Sequence, residues 1–231
     1  MGPKRDIVVS NHEDVVKLID PTHFRVSIFG SARVHKEDVV YKQVYDFAKI
    51  MADEGIDIVT GGGPGLMEAA NAGHAAGDPT NQAQSIGLTV RLPSEAVGNQ
   101  YLEIEKHFNK FSNRLDTFVS ISHAAVIMLG GIGTCLEFFY VWQLIQVKHI
   151  YQMPIILIGE QWEGLLDWII KYPLKSKFMN KEDLDMIHVV KTNEEAANII
   201  KKTYAAYRLI GKDRLSLNTQ KYSADQEPDL K

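Results

Sequence analysis

Cysteine is nearly absent. Cys135 is the only one in 231 residues, which excludes an intrachain disulfide and a cysteine-based zinc cluster. That usage fits a reducing compartment. Basic charge is not in excess: 25 lysines and arginines face 29 acidic residues, for a formal net charge of -4. A nucleic-acid binder held by bulk charge needs the opposite balance, so no nucleic-acid partner is expected. No apolar run approaches the ~18 residues of a membrane span. The opening stretch MGPKRDIVVSNHEDVV turns acidic before any long apolar segment, unlike a secretory signal. The eight histidines lack H-x-x-x-H or comparable ligand spacing, so no metal is expected. Hydrophobic residues at 45% and charged residues at 23% are the balance of an ordinary globular protein, expected to be soluble and cytoplasmic.

What is present is an alternation of short apolar runs and helical patterns. Arg25-Val-Ser-Ile-Phe29, Ile56–Thr60, Ser85–Val90, Ala124–Leu129, Ile155–Ile158 and Ile187–Val190 read as strands. Between them, Asp38–Glu54, Leu66–Ala76, Phe111–Ile121, Thr134–Val147, Trp162–Ile170 and Thr192–Tyr207 read as helices. The last is opened by a capping box of Thr192 with Glu195. Residues 92–110 are less regular. Strands alternating with helices predict βαβ units, hence a Rossmann-like, doubly wound parallel sheet in a single α/β domain over 23–208. Residues 1–22 read as an N-terminal arm, with a short helix over Asp14–Ile19, and 209–231 as a polar C-terminal tail. Trp162 and Trp168 read as core aromatics, and the apolar helix Phe138–Leu144 as core with part of it open to a subunit contact.

Ligands of such sheets sit at the carboxyl ends of the strands. Three loops rich in glycine or small residues fall there: Gly30–Arg33, Gly61–Gly65 and Gly130–Thr134. None is a dinucleotide fingerprint, since the sixth position is Leu66 counted from Gly61 and Leu136 counted from Gly131. None is a P-loop, since the only Gly-Lys pair, Gly211-Lys212, is followed by Asp213. No nicotinamide cofactor or Walker-type nucleotide is therefore expected. Gly130-Gly131-Ile132-Gly133-Thr134 still joins a buried strand to a helix start, where glycines admit an anion to unpaired backbone N–H groups. Glu137 follows one turn later on the same face, ~5 Å along the helix. Thr134-x-x-Glu137 is also the spacing of a capping box, and spacing alone leaves both readings open. Arg114, taken alone, reads as a solvated surface charge.

Phe29-Gly30-Ser31-Ala32-Arg33, Gly61-Gly62-Gly63-Pro64-Gly65-Leu66-Met67-Glu68-Ala69-Ala70-Asn71 and Gly130-Gly131-Ile132-Gly133-Thr134-Cys135-Leu136-Glu137 together resemble the Lonely guy (LOG) family, long mislabelled as lysine decarboxylases. The resemblance spans roughly 24–200 and is nearer the longer bacterial branch than the plant enzymes. It implies a phosphoribohydrolase that cleaves a nucleoside 5'-monophosphate, AMP-like or a cytokinin nucleotide, to free base and ribose 5-phosphate. It implies no cofactor, and a homodimer or larger homo-oligomer.

The resemblance also implies roles. Arg114, sixteen positions before Gly130, and Glu137 match the catalytic pair. Gly130, Gly131, Gly133 and Thr134 match the phosphate loop. Gly30, Ser31, Arg33, Gly62, Gly63, Gly65, Glu68 and Asn71 are expected around the rest of the nucleotide, the last two at ribose hydroxyls. Two positions depart from the family pattern: Leu115 stands where it has lysine, and Leu129 where it has proline. Losing the proline removes a φ constraint but keeps the loop amides. The alternative function on the same fold is a non-catalytic nucleotide or cofactor binder. A lysine decarboxylase would need a Schiff-base lysine with its partners, and no such constellation is visible.

Overall fold

The structure, a computed structural model, describes residues 5–8, 15, 17–90 and 98–210. Eight strands are β1 (Arg5–Val8), β2 (Arg25–Phe29), β3 (Asp57–Thr60), β4 (Ser85–Val90), β5 (Ile104–Phe108), β6 (Ala124–Ile127), β7 (Ile155–Ile158) and β8 (Ile187–Val190). They form one sheet in the order β1-β5-β4-β3-β2-β6-β7-β8, with every neighbouring pair parallel. Among the described residues the α-helices that accompany them are α1 (Val39–Asp53), α2 (Leu66–Gly77), α3 (Phe111–Ile121), α4 (Ile132–Gln146), α5 (Gln161–Ile169) and, after the last strand, α6 (Asn193–Ile210). This is the expected Rossmann-like α/β fold. The chain order reverses between β2 and β6, which pair in register from Val26 with Ala124 to Phe29 with Ile127. A crevice opens at such a switch point, beyond the carboxyl ends of the strands.

The central strands β3, β2, β6 and β7 are buried throughout because helices cover both faces of the sheet. Alternation then divides their side chains between two cores. Val26, Ile28, Ile58, Val126 and Ile156 face one core, which Val44, Phe47 and Met51 of α1 and Ala69 and Ala70 of α2 complete. Phe29, Val59, Ala125, Ile127 and Leu157 face the other, with Phe118 of α3, Phe138 and Trp142 of α4 and Trp162 of α5. Helices α1 and α2 approach closely at Gly73, where a Cβ would collide with the Tyr45 carbonyl oxygen. The capping box forms at α6: the Glu195 backbone N–H donates to Thr192 Oγ1 at 3.2 Å, and Glu195 Oε2 accepts the Thr192 N–H at 3.3 Å.

Three expectations change. Residues of the expected arm supply β1, which pairs with β5, and Val15 and Ile19 are buried. The irregular stretch after 92 contains β5. Trp168 is 52% exposed, whereas Trp162 is core. Of the expected Asp14–Ile19 helix, Asp14 and Val16 lie outside the described residues and Lys17–Leu18 form a turn; the tail beyond 210 lies outside them too.

Candidate active site

The three loops anticipated from the sequence leave β2, β3 and β6 at the same edge of the sheet. The first and third wall a cleft of about 470 Å³, together with Gly61 from the second loop, Met67 from α2, and Phe111 and Arg114 from α3. That volume lies within the range of small-molecule sites. The first loop is locked to its neighbours. The Ser31 N–H donates to the Leu129 carbonyl at 3.1 Å, and the Leu66 N–H donates to the Ser31 carbonyl at 2.9 Å. Gly30 has no room for a side chain, since a Cβ would lie 2.9 Å from Leu66 Cδ1. Ser31 and Arg33 line the cleft.

The second loop serves the cleft mainly through Gly61. A Cβ there would collide with Arg114 Nη2 and lie 2.6 Å from Met67 Sδ, so the missing side chain is what admits the guanidinium. Gly62, Gly63 and Gly65 do not line the cleft. Gly62 and Gly65 take φ values of +72° and +68°, which suit glycine, and turn the chain inward. The carbonyls of Gly62 and Gly63 accept the Asn99 amide at 3.1 and 3.2 Å. Asn71 lies behind this loop, fully buried. Its Oδ1 accepts from Thr60 and Asn99, and its Nδ2 donates to Ser85 Oγ. An amide so engaged holds the loop and does not face the cleft. Glu68 also points elsewhere, paired with Lys36 at 2.8 Å.

Helix α4 begins at Ile132 with Gly131 as its N-cap, and no side chain caps it. Thr134 is therefore the third helical residue, and Thr134 with Glu137 is not a capping box. The first intrahelical bond from this end runs from the Cys135 N–H to the Gly131 carbonyl at 3.0 Å. The N–H groups of Ile132, Gly133 and Thr134 precede it, at the positive end of the helix dipole. The glycines differ in what surrounds them. Gly130 is closed, because a Cβ would collide with Thr134 Oγ1, and Gly130 does not line the cleft. Gly131 and Gly133 do line it, and a Cβ on either would meet nothing within 4 Å. Packing within the protein does not demand glycine at these two positions, and the missing side chains leave the backbone open to the cleft.

Arg114 sits in the first turn of α3, only 7% exposed. Its Nε donates to the Leu88 carbonyl at 2.7 Å, and its guanidinium lies 5.5 and 5.3 Å from the ring centroids of Phe111 and Phe118. This holds the fork in one plane, with Nη2 3.9 Å from Glu137 Oε1. Burial pushes the Glu137 carboxyl up to about 7, with Arg114 pulling the other way. A carboxyl near 7 stands close to ambient pH, the condition under which such a group serves acid–base or charge-stabilising chemistry. Leu115 is buried and does not line the cleft, so its replacement of lysine leaves no gap in the wall.

Gly61, Met67, Phe111 and Ile132 line the cleft without having been assigned a role from the sequence. Gly61, Met67 and Ile132 lay inside the family motifs, whereas Phe111 carried no signal. Among the described residues no group of three or more His, Cys, Asp or Glu stands together as a metal set, and no lysine lines the cleft.

A helix N-terminus and an Arg–Glu pair thus meet at the switch point of a parallel, Rossmann-like sheet. The family described as "Possible lysine decarboxylase" matches residues 67–200, more than half of the chain. The chain belongs to that family, the one its motifs resemble as LOG. A pyrimidine/purine nucleotide 5'-monophosphate nucleosidase of Escherichia coli K12 is 32% identical over 117 residues, covering 45% of this chain. The match covers 24% of that protein, so the chain spans about a quarter of the length of the curated relatives it matches. A molybdenum cofactor binding protein from Rippkaea orientalis superposes with a TM-score of 0.61 at 17% identity, over 79% of this chain and 98% of that one. The molybdenum cofactor carrier protein of Chlamydomonas reinhardtii gives 0.56 at 18% identity, over 79% and 99%. These two structures share the fold. No helix among the described residues is long and apolar enough to cross a membrane.

Proposed function

We propose that the protein hydrolyses the N-glycosidic bond of a nucleoside 5'-monophosphate, releasing free base and ribose 5-phosphate. The observation that carries this reading is the convergence of Arg114 and Glu137, 3.9 Å apart, beside the two open glycines of the α4 N-terminus. The 5'-phosphate is held by the backbone N–H groups of Gly131–Thr134 and by the Thr134 hydroxyl. Gly130 supports that loop from behind. The C1'–N bond breaks through an oxocarbenium-like ribose, the base leaves with the bonding pair and a proton, and water supplies the hydroxyl at C1'. Ionised Glu137 stabilises the positive ribose. Arg114 orients the phosphate or the departing base through its fixed fork. Ser31 and Arg33 meet the ribose or base. The cleft holds no lysine for a Schiff base, which speaks against the decarboxylase description. The reading also places the enzyme in the cytoplasm as a homodimer or larger homo-oligomer. Leu136 and Phe139, exposed on α4, fit such a contact.

The test is chromatographic. The protein is incubated with AMP, GMP, CMP, IMP and isopentenyl-AMP beside Glu137→Gln. Free base and ribose 5-phosphate are expected from the wild type, with the rate falling about 10²–10⁴-fold in the variant. A second reading, a non-catalytic nucleotide or cofactor carrier, is favoured by the fold shared with the molybdenum cofactor carriers. Binding of AMP without release of base from any nucleotide is its expected signature.

A further inference from the structure

Gln161 opens α5, on the connection that leaves β7, and is not part of the cleft wall. Its side chain nevertheless reaches the loop that is. Gln161 Oε1 accepts the Gly130 N–H at 3.3 Å, and Gln161 Nε2 donates to the Gly130 carbonyl at 3.1 Å. One carboxamide thus satisfies both backbone groups of one residue, as a neighbouring strand residue would. The complementarity also fixes which end of the amide is oxygen, because the flipped amide would set donor against donor and acceptor against acceptor. The same connection grips the preceding residue. Gly159, with φ +118°, leaves the space that Leu129 fills, since a Cβ there would collide with Leu129 Cδ2. On its other side Gly130 is pressed against Thr134.

Leu129 stands where the family pattern has proline, so the strand-to-loop junction lacks a covalent φ constraint. Gly130, the next residue, has the widest conformational freedom of any residue type. Two free residues immediately before the phosphate-facing amides would leave those amides poorly aimed. We infer that Gln161 is a positioning residue for the phosphate loop: its two hydrogen bonds to Gly130 set the pose in which Gly131–Thr134 receive the substrate's phosphate. The inference rests on the functional reading above. Gln161 itself touches no substrate.

The experiment measures binding of ribose 5-phosphate and of adenosine, by calorimetry, to wild type, Gln161→Met and Gln161→Glu. Methionine keeps the length of the side chain and removes both hydrogen bonds. Affinity of Gln161→Met for ribose 5-phosphate is expected to fall about tenfold, the scale of one or two ordinary hydrogen bonds, with KM for AMP rising in step. Adenosine, which lacks the phosphate, is expected to bind as before, together with an unchanged melting temperature. In Gln161→Glu the carboxylate accepts the Gly130 N–H but opposes its carbonyl, whereas the protonated acid offers the same donor and acceptor as glutamine. Its ribose 5-phosphate affinity, taken as a ratio to wild type at each pH, is expected to rise toward one only as pH falls from about 6 to about 4, through the ordinary glutamate pKa of about 4.3. Equal binding of ribose 5-phosphate by wild type and Gln161→Met overturns the inference alone. Parallel losses for adenosine and ribose 5-phosphate also overturn it, since they mark a general structural role. If the wild type binds no ribose 5-phosphate, the functional reading fails and the inference falls with it.

Discussion

Glu137 brings together the two opposing demands on a buried carboxyl. Desolvation favours its neutral form and Arg114 favours its ionised form, and the balance stands at about 7. Chemistry that stabilises a positive ribose needs the carboxylate. The pH profile of kcat/KM for AMP is therefore expected to rise between about pH 6 and pH 8, the free-enzyme limb reporting Glu137. Arg114→Gln removes the cation and is expected to move that limb to higher pH, besides lowering the rate. The glycines of the loop make a second prediction at this scale. Gly131→Ala and Gly133→Ala meet open space, so melting temperatures are expected to stay within a few degrees of wild type. Ribose 5-phosphate affinity is expected to fall tenfold or more, because a methyl group then occupies the approach to the amides. The family resemblance brought Arg114 and Glu137 forward where spacing alone had not, because its motifs fix their order along the chain. It could not tell that Asn71 faces inward to Thr60 and Ser85, or that Gly130 is spent on Gln161, since both depend on partners distant in sequence.

The same contrast between open and closed glycines governs the helices. α1 and α2 approach closely enough that Gly73 faces the Tyr45 carbonyl with no room for a methyl group. The obstacle is backbone, which cannot swing aside as a flexible side chain would. Gly73→Ala is expected to cost about 1–3 kcal/mol, read as a fall in the denaturant midpoint. Since α2 opens directly from the second glycine loop, some loss of activity should accompany it. Six strands and six helices were legible as apolar runs and helical periods. β5 was not, because Ile104-Glu-Lys-His-Phe108 places three polar or charged residues in its middle. Burial of Glu105 and Lys106 became intelligible only with tertiary partners, such as the Gly98 N–H that donates to Glu105 at 2.9 Å. β1, with Arg5 and Asp6 in four residues, was hidden for the same reason.

For the molecule as a whole, the reversal of chain order between β2 and β6 decides where a ligand can bridge the two halves of the sheet. A compound seated there touches loops from both halves and should stabilise both at once. Ribose 5-phosphate or AMP at a hundred times its dissociation constant adds about 2.7 kcal/mol to folding stability. For a domain of this size that corresponds to a rise of roughly 5–10 °C in melting temperature. Adenosine at the same concentration is expected to give a smaller rise, since the helix N-terminus then goes unused. Alternation of strand and helix made this architecture readable at the outset, because βαβ units admit few arrangements. The edge to which the arm residues add β1 was not readable, since edge pairing leaves little apolar signature.

The setting of Arg114 has a consequence for chemical complementation. Two aromatic rings, the Leu88 carbonyl and the Glu137 carboxylate surround a flat cation, and Gly61 leaves its flank clear. Truncation to Arg114→Ala would leave a slot matched to a small planar ion. Added guanidinium at millimolar concentration is expected to restore part of the lost turnover. Ammonium, of equal charge but without the planar fork, is expected to restore far less.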